Sequence, residues 1–199
     1  TGRHGSSRSR RTLSPPRNEC CVPAPPVMEF DPEGNLVQAW GGPGAGYDWP
    51  ENEHGIFVDA QSNVWLAGNA EKDAQILKFT RDGRFQMQIG KPGQSKGSND
   101  LENLRRPAKT FIDKKENEVY VADGYGNHRV IVYDADTGKY KRHWGAYGNK
   151  PSDENLGPYN PDAPPAQQFR NPVHCAELSV DGLVYVCDRV NDRIQVFKK

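Results

Sequence analysis

Gly55-Ile56-Phe57-Val58-Asp59, followed by Asn63-Val64-Trp65-Leu66-Ala67, is the stretch that decides the fold. It reads as a short strand, a tight turn at Asp59 and a second strand carrying an aromatic residue. The pattern returns as Thr110-Phe111-Ile112-Asp113 with Glu118-Val119-Tyr120-Val121-Ala122, and again as Ala176-Glu177-Leu178-Ser179 with Leu183-Val184-Tyr185-Val186-Cys187. Each copy leads into a third strand, at residues 75–79, 129–133 and 193–197. A glycine turn and a fourth strand close the first two copies, ending at Ile89-Gly90 and Trp144-Gly145. Upstream, Val27 to Trp40-Gly41 supplies only the last two strands of such a unit.

Helix signals are absent and the alternation has period two, so the fold class is all-β. Antiparallel four-stranded units, whose central aromatic recurs from Trp65 to Tyr120 and from Tyr120 to Tyr185, predict β-propeller blades with long connecting loops. At ~45 residues per blade a ring of six needs about 270 residues. A chain of 199 residues is therefore expected to be an incomplete arc of two whole and two partial blades, spanning residues 27–199. Residues 1–26 read as a basic, proline-rich tail, expected to be disordered. Up to residue 19 it sets Arg3, Arg8, Arg10, Arg11 and Arg17 against one acid, Glu19. No aromatic residue interleaves those charges, which favours a solvated leader over a nucleic-acid arm. The chain opens on Thr1 without a signal-type apolar stretch, so further sequence is expected upstream.

Composition narrows the function classes. The 26 basic and 26 acidic residues cancel to a net charge of 0, so there is no overall field to steer the chain onto nucleic acid or an anionic membrane. With 35% hydrophobic residues and a mean hydropathy of −0.87, no apolar run approaches the ~20 residues of a membrane helix. Aromatic residues at 10% argue against wholesale disorder. Four cysteines, Cys20, Cys21, Cys175 and Cys187, are too few for a disulfide scaffold. Cys175 and Cys187 face one another across the turn centred on Asp181, and are expected to be ordinary buried thiols.

The chemistry-bearing residues follow from blade topology. A blade's first strand lines the central channel and its successors run antiparallel outward, so first-strand starts and second-strand ends share one face. His54 and His174 each precede a first strand, at the same spacing before Trp65 and Tyr185 respectively. Tyr125 and Arg189 each follow a second strand. All four are expected at one channel mouth. Taken singly they are unremarkable: a hydrogen-bonded packing histidine, an interblade tyrosine, an arginine partnering a loop carboxylate. Together they say more, because the histidines lie in alternate blades, about 120° apart in a ring of six, while the blade between offers Ala108-Lys109. A third histidine two blades on would complete a His₃ set with an open fourth position, the arrangement of a catalytic zinc site.

The blade pattern resembles the NHL repeat, with its Gly-Ile-x-Val-Asp opening, Val-Tyr-Val-Ala-Asp middle and Asn-x-Arg-Ile/Val-x-Val-Phe/Tyr third strand. Within that superfamily, Glu53-His54-Gly55-Ile56, Asp123-Gly124-Tyr125-Gly126-Asn127-His128-Arg129, Asn171-Pro172-Val173-His174 and Asp188-Arg189-Val190-Asn191-Asp192-Arg193 resemble the peptidyl-α-hydroxyglycine α-amidating lyases. The resemblance implies cleavage of a C-terminal α-hydroxyglycine to a peptide amide and glyoxylate. It implies His54 and His174 as zinc ligands, Tyr125 as the base on the substrate hydroxyl and Arg189 as stabiliser of developing oxyanion charge. It also implies a structural calcium, with Ile56 as a backbone carbonyl donor, and a secreted or periplasmic location. Three departures stand out. A third histidine would lie beyond Lys199; Gly126 replaces the family's cysteine beside the catalytic tyrosine; and a further functional arginine finds only Arg10 or Arg11, poorly aligned.

Other polar residues read as structural. Asp59, Asp113 and Asp181 mark hairpin turns; Asp123 with Arg129, and Asp188 with Arg193, form ion pairs that recur with the repeat; His128 and His143 are expected at the surface. Residues 146–171 exceed an ordinary connection and read as a substrate-shaping loop on the site face. The main rival to a lyase is a non-catalytic scaffold binding a protein or peptide on the same face. A calcium-dependent hydrolase would need axial carboxylates that the matching positions lack. The expected partner is a peptide, small-molecule substrate or protein ligand, with no nucleic acid and no membrane span.

Overall fold

The computed structural model describes residues 24–199, so Cys20, Cys21 and the arginines of the expected tail lie outside the described residues. Thirteen strands form four antiparallel sheets. The first pairs β1 (Val27–Phe30) with β2 (Leu36–Trp40). The second is β3 (Glu53–Val58), β4 (Val64–Gly68), β5 (Gln75–Phe79) and β6 (Phe85–Gly90), hydrogen-bonded in that order. The third repeats it with β7 (Lys109–Asp113), β8 (Glu118–Asp123), β9 (Arg129–Asp134) and β10 (Tyr140–Trp144). The fourth holds β11 (Val173–Leu178), β12 (Leu183–Asp188) and β13 (Arg193–Lys198). The chain is an all-β partial propeller of two whole and two partial blades. Its helical content among the described residues is two 3₁₀ turns, Ala146–Gly148 and Arg189–Asn191.

Period-two side-chain alternation builds the core. On β8, Val119 and Val121 join Trp65, Ile76 and Ile131 between the second and third sheets. The intervening Tyr120 and Ala122 face the other way, onto Val173, Val184 and Val186 of the fourth. A third cluster of Val64, Leu66, Leu77 and Phe79 meets Val27 and Trp40 of the first sheet. Middle strands are thus buried on both faces, which is why β4 and β8 read as near-continuous apolar runs. The two ends of the arc are covered on one face only: Ile56 and Val58 are 54% and 58% exposed, Ile194 and Val196 64% and 50%.

Cys175 and Cys187 are not free thiols. They pair directly across β11 and β12 with Cα atoms 5.0 Å apart and form a disulfide. The in-register opposition that the turn at Asp181 imposes is what brings the sulfurs together, within the Cα range a disulfide accepts. His128 also departs from expectation. It is buried, with Nδ1 2.7 Å from the Ser152 carbonyl and Nε2 against the Asn171 side chain, so it anchors the 146–171 loop. His143 is half-buried and meets the Tyr140 hydroxyl at 2.8 Å.

Two outcomes test these contacts. The double variant Cys175→Ser/Cys187→Ser should lose about 2–3 kcal/mol in urea unfolding. Reductant should lower the wild-type midpoint similarly and leave the variant's unmoved. Glu118 provides the second. Burial works to raise its carboxyl, but the Arg142 fork, Lys141 and the Tyr120 hydroxyl outweigh this and hold it at about 2, below the usual 4.5. A depressed carboxyl stabilises the fold fully above its unfolded pKa and loses that stabilisation as pH falls toward 2. Glu118→Gln should therefore cost about 1.5–3 kcal/mol at pH 7, with its deficit against wild type shrinking steadily between pH 4.5 and 2.

Candidate functional site

In each of the three larger sheets a buried carboxylate, at the end of the second strand or between it and the third, pins the loop that leads into that sheet's own inner strand. Asp73 accepts the backbone N–H groups of Glu51 (2.8 Å), Asn52 (3.2 Å) and Ala70 (2.7 Å). Asp123 accepts from Arg105 N (2.8 Å) and Asp188 from Arg170 N (3.1 Å). The first residue of each third strand completes the clamp from its own side chain. Gln75 donates to the Asp48 carbonyl at 3.0 Å, Arg129 to the carbonyls of Ser98, Asp100 and Asn103, and Arg193 to that of Gln168. The expected ion pairs Asp123–Arg129 and Asp188–Arg193 close at 2.8 Å each. Burial pushes the Asp123 carboxyl up, against the opposing pull of the Arg129 guanidinium.

The inner strands then differ in one respect that sequence spacing hides. On β3, Glu53 pairs with Gly68 but Ile56 with Leu66, and on β11, Val173 pairs with Asp188 but Cys175 with Cys187. Each strand therefore holds one residue more than its partner, at the segment containing His54 or His174. On β7 the pairing runs from Lys109↔Ala122 to Asp113↔Glu118 without a break. A bulge twists a strand locally and re-aims its side chains, so the two histidine-bearing strands carry the same device and the strand between them does not. Two glycines permit the close approach. A Cβ on Gly55 would stand 2.7 Å from the Ala108 carbonyl oxygen, and one on Gly124 would run into the Val173 backbone.

Three rings from three blades meet as a result. His54 and Tyr125 have centroids 5.1 Å apart, His54 and His174 5.7 Å, and Tyr125 and His174 5.7 Å, all edge to face. The Arg189 guanidinium lies over the Tyr125 ring, 5.7 Å from its centroid. His54 Nδ1 is 2.8 Å from the Ala108 carbonyl oxygen. A carbonyl only accepts, so Nδ1 carries a proton; in the neutral ring this leaves the lone pair on Nε2, to which the Tyr125 hydroxyl donates at 3.2 Å. Burial lowers the basicity of His174, helped by the positive charges of Arg189, His54 and Lys109.

The structure thus brings His54, Tyr125, His174 and Arg189 to one place. An imidazole whose other ring nitrogen donates to a backbone carbonyl is oriented as metal-binding histidines are, and His54 has that geometry, with the His174 ring 5.7 Å away. Among the described residues no group of three His, Cys, Asp or Glu side chains gathers to hold a metal. Ile56, on β3, pairs with Leu66 of β4 and lines a cavity with Val27, Met28 and Trp40 of the first sheet. Beyond Gly126 and Val190, the neighbours of Tyr125 and Arg189, a cavity of about 340 Å³ is walled by residues 153–157 and floored by Phe169. The wall belongs to the 146–171 loop, which Asp153 ties to the Ser98 N–H at 3.0 Å. Sequence spacing anticipated that these four residues share one face. It missed the bulges, the Asp73 and Gln75 clamp of the second sheet and the Ala108 carbonyl, whose signals are pairing register and backbone position rather than residue type.

Comparison with known proteins agrees with this architecture. A family model described as "6-bladed beta-propeller" matches residues 61–144. NHL repeat-containing protein 3 of Mus musculus is 28% identical over 185 residues, covering 88% of this chain and 46% of its own length. Peptidyl-glycine alpha-amidating monooxygenase B of Xenopus laevis is 29% identical over 153 residues, 72% of this chain and 15% of its own length. Peptidyl-alpha-hydroxyglycine alpha-amidating lyase 1 of Drosophila melanogaster is 27% identical over 181 residues, 86% of this chain and 29% of its own length. The chain spans less than half the length of each of these curated relatives. No described helix is long and apolar enough to cross a membrane. The chain is a partial β-propeller that resembles the NHL-repeat proteins and, within them, the amidating lyases.

Proposed function

We propose that this arc carries part of the active site of a zinc-assisted lyase that converts a peptidyl-α-hydroxyglycine to a peptide amide and glyoxylate. The observation that carries the reading is the convergence of His54, Tyr125 and His174 from three blades, with Arg189 on the Tyr125 ring. Held by His54 and His174, zinc would supply Lewis-acid polarisation. The residues of the chain do the rest. Tyr125, as the phenolate beside Arg189, takes the proton of the carbinol hydroxyl; the C–O bond becomes the glyoxylate carbonyl as the C–N bond breaks, and the electron pair leaves on the amide nitrogen, which receives the proton that Tyr125 took up. Arg189 offsets the negative charge that builds on oxygen during this step. One lone pair on His54 Nε2 serves either the Tyr125 hydroxyl or a metal, so metal binding through that atom ends the hydrogen bond between them. The 146–171 loop and its cavity would shape the peptide side of the substrate. The Cys175–Cys187 disulfide supports an oxidising, secreted or periplasmic setting. The same resemblance extends to a structural calcium at the Ile56 carbonyl.

The rival, a metal-free face that captures a protein or peptide, makes opposite predictions. In the intact protein, glyoxylate release from N-benzoyl-α-hydroxyglycine should fall at least 100-fold in Tyr125→Phe, the usual scale for a lost acid–base group, with zinc content unchanged. His54→Ala and His174→Ala should each lower zinc content measured by atomic emission, and activity with it. Wild-type protein that binds no zinc and releases no glyoxylate would overturn the lyase reading.

A further inference from the structure

The strand between the two histidine-bearing strands has neither a bulge nor a histidine, and the residue placed there is Lys109. Its predecessor, Ala108, offers the carbonyl that orients His54. Its own ammonium pairs with Glu177 of β11, the strand that carries His174. Lys109 is therefore tied to both imidazole sectors. Its side chain remains 43% exposed, and an ammonium has three N–H donors, of which Glu177 occupies one. Across the cluster, Arg189 makes no ion pair among the described residues and lies against Tyr125. Two cations thus flank the imidazoles, one of them shared with the Glu177 carboxylate. Such a mouth favours an anion, and it does so on the side of β7 where no metal ligand stands.

Resting on the lyase reading above, we propose that Lys109 binds the carboxylate of the α-hydroxyglycine unit between His54 and His174, and so makes an ionised C-terminus the preferred substrate. Glu177 aims the lysine and leaves two of its three donors free. The carboxylate is present in substrate and in departing glyoxylate alike, so this contact is uniform binding and belongs in KM rather than kcat. Two free N–H donors at this place would also hold unreactive carboxylates.

The test compares N-benzoyl-α-hydroxyglycine with its methyl ester in the intact protein. Wild type should prefer the acid at least 10-fold in kcat/KM. Lys109→Met should raise KM for the acid about 10-fold at constant kcat and leave the ester unchanged. Lys109→Arg should keep the preference, and Glu177→Gln, which removes the ion pair but not the ammonium, should keep most of it. Equal losses on acid and ester in Lys109→Met would reduce the lysine to a structural role and overturn the inference while the lyase reading stands. Calorimetry with N-benzoylglycine, which cannot react, separates the two. Binding that Lys109→Met abolishes, without turnover of either substrate, would sink the lyase reading and keep the anion site. No binding to wild type would overturn the anion site.

Discussion

Everything at the channel mouth depends on a buried carboxylate receiving the backbone N–H of an incoming loop. A loop that dips toward the core must satisfy its N–H groups there, since an unpaired buried donor costs about as much as a lost hydrogen bond. Asp123 and Asp188 meet that requirement as the last residues of β8 and β12, and Asp73 meets it from just ahead of β5. The charge beside the carboxylate is less essential than the hydrogen bonds. Asp123 and Asp188 have an arginine partner, whereas Asp73 manages with three backbone N–H groups and has Gln75 where the others have Arg129 and Arg193. This matters for the site because each clamp ends about one turn of chain before an inner-strand position that bears function: Glu51 before His54, Arg105 before Lys109, Arg170 before His174.

The three sectors are not equally supported. The middle sheet is packed on both faces, so Tyr125 leaves a strand end that two core clusters hold. The fourth sheet is covered on one face only, and Ile194 and Val196 stand exposed on the other. There the disulfide takes over part of what a neighbouring sheet does elsewhere. It joins Cys175, the residue after His174, to Cys187, just ahead of Asp188 and Arg189, fixing both side chains to one hairpin rung. Asn171 adds a second tie, donating to the carbonyls of Gly124 (2.7 Å) and Asn127 (3.0 Å) and so binding the approach to β11 to the loop that carries Tyr125.

Much of this was legible in the residues because a propeller repeats itself. Period-two strands and recurring turns gave the blades, and topology alone placed His54, Tyr125, His174 and Arg189 on one face. What spacing obscured has a physical cause. His54, Lys109 and His174 stand at identical spacing before Trp65, Tyr120 and Tyr185. The three are not equivalent: Phe57, Phe111 and Glu177 are the residues paired with those aromatics, and the middle pair is one position further apart along the chain than the other two. A longer turn in the middle blade offsets its missing bulge, and counting along the chain cannot separate the two. The thiols were misjudged for a related reason. Burial frequency describes cysteines in general, whereas Cys175 and Cys187 are decided by the single register that puts them opposite one another. His128 was read as surface because histidine commonly is; its two ring nitrogens instead satisfy loop groups that only the folded connection brings near.

Fold alone cannot choose between a binding face and a catalytic one. The local chemistry is what favours the catalytic reading proposed above. A face that merely captures a peptide gains from exposed apolar and hydrogen-bonding groups in almost any arrangement. It gains nothing from imidazoles brought in by matched bulges from non-adjacent blades, one with its tautomer set by a carbonyl, the other made less basic by burial and by neighbouring positive charge. Holding an imidazole beside two cations is unfavourable for attracting protons and favourable for keeping a lone pair available. That lone pair, a phenol within hydrogen-bonding distance of the companion ring and a guanidinium stacked on the phenol form a set in which each member is useful to the next only if a proton is to be moved near an anion. The rival reading explains the propeller; it offers no reason for this arrangement within it.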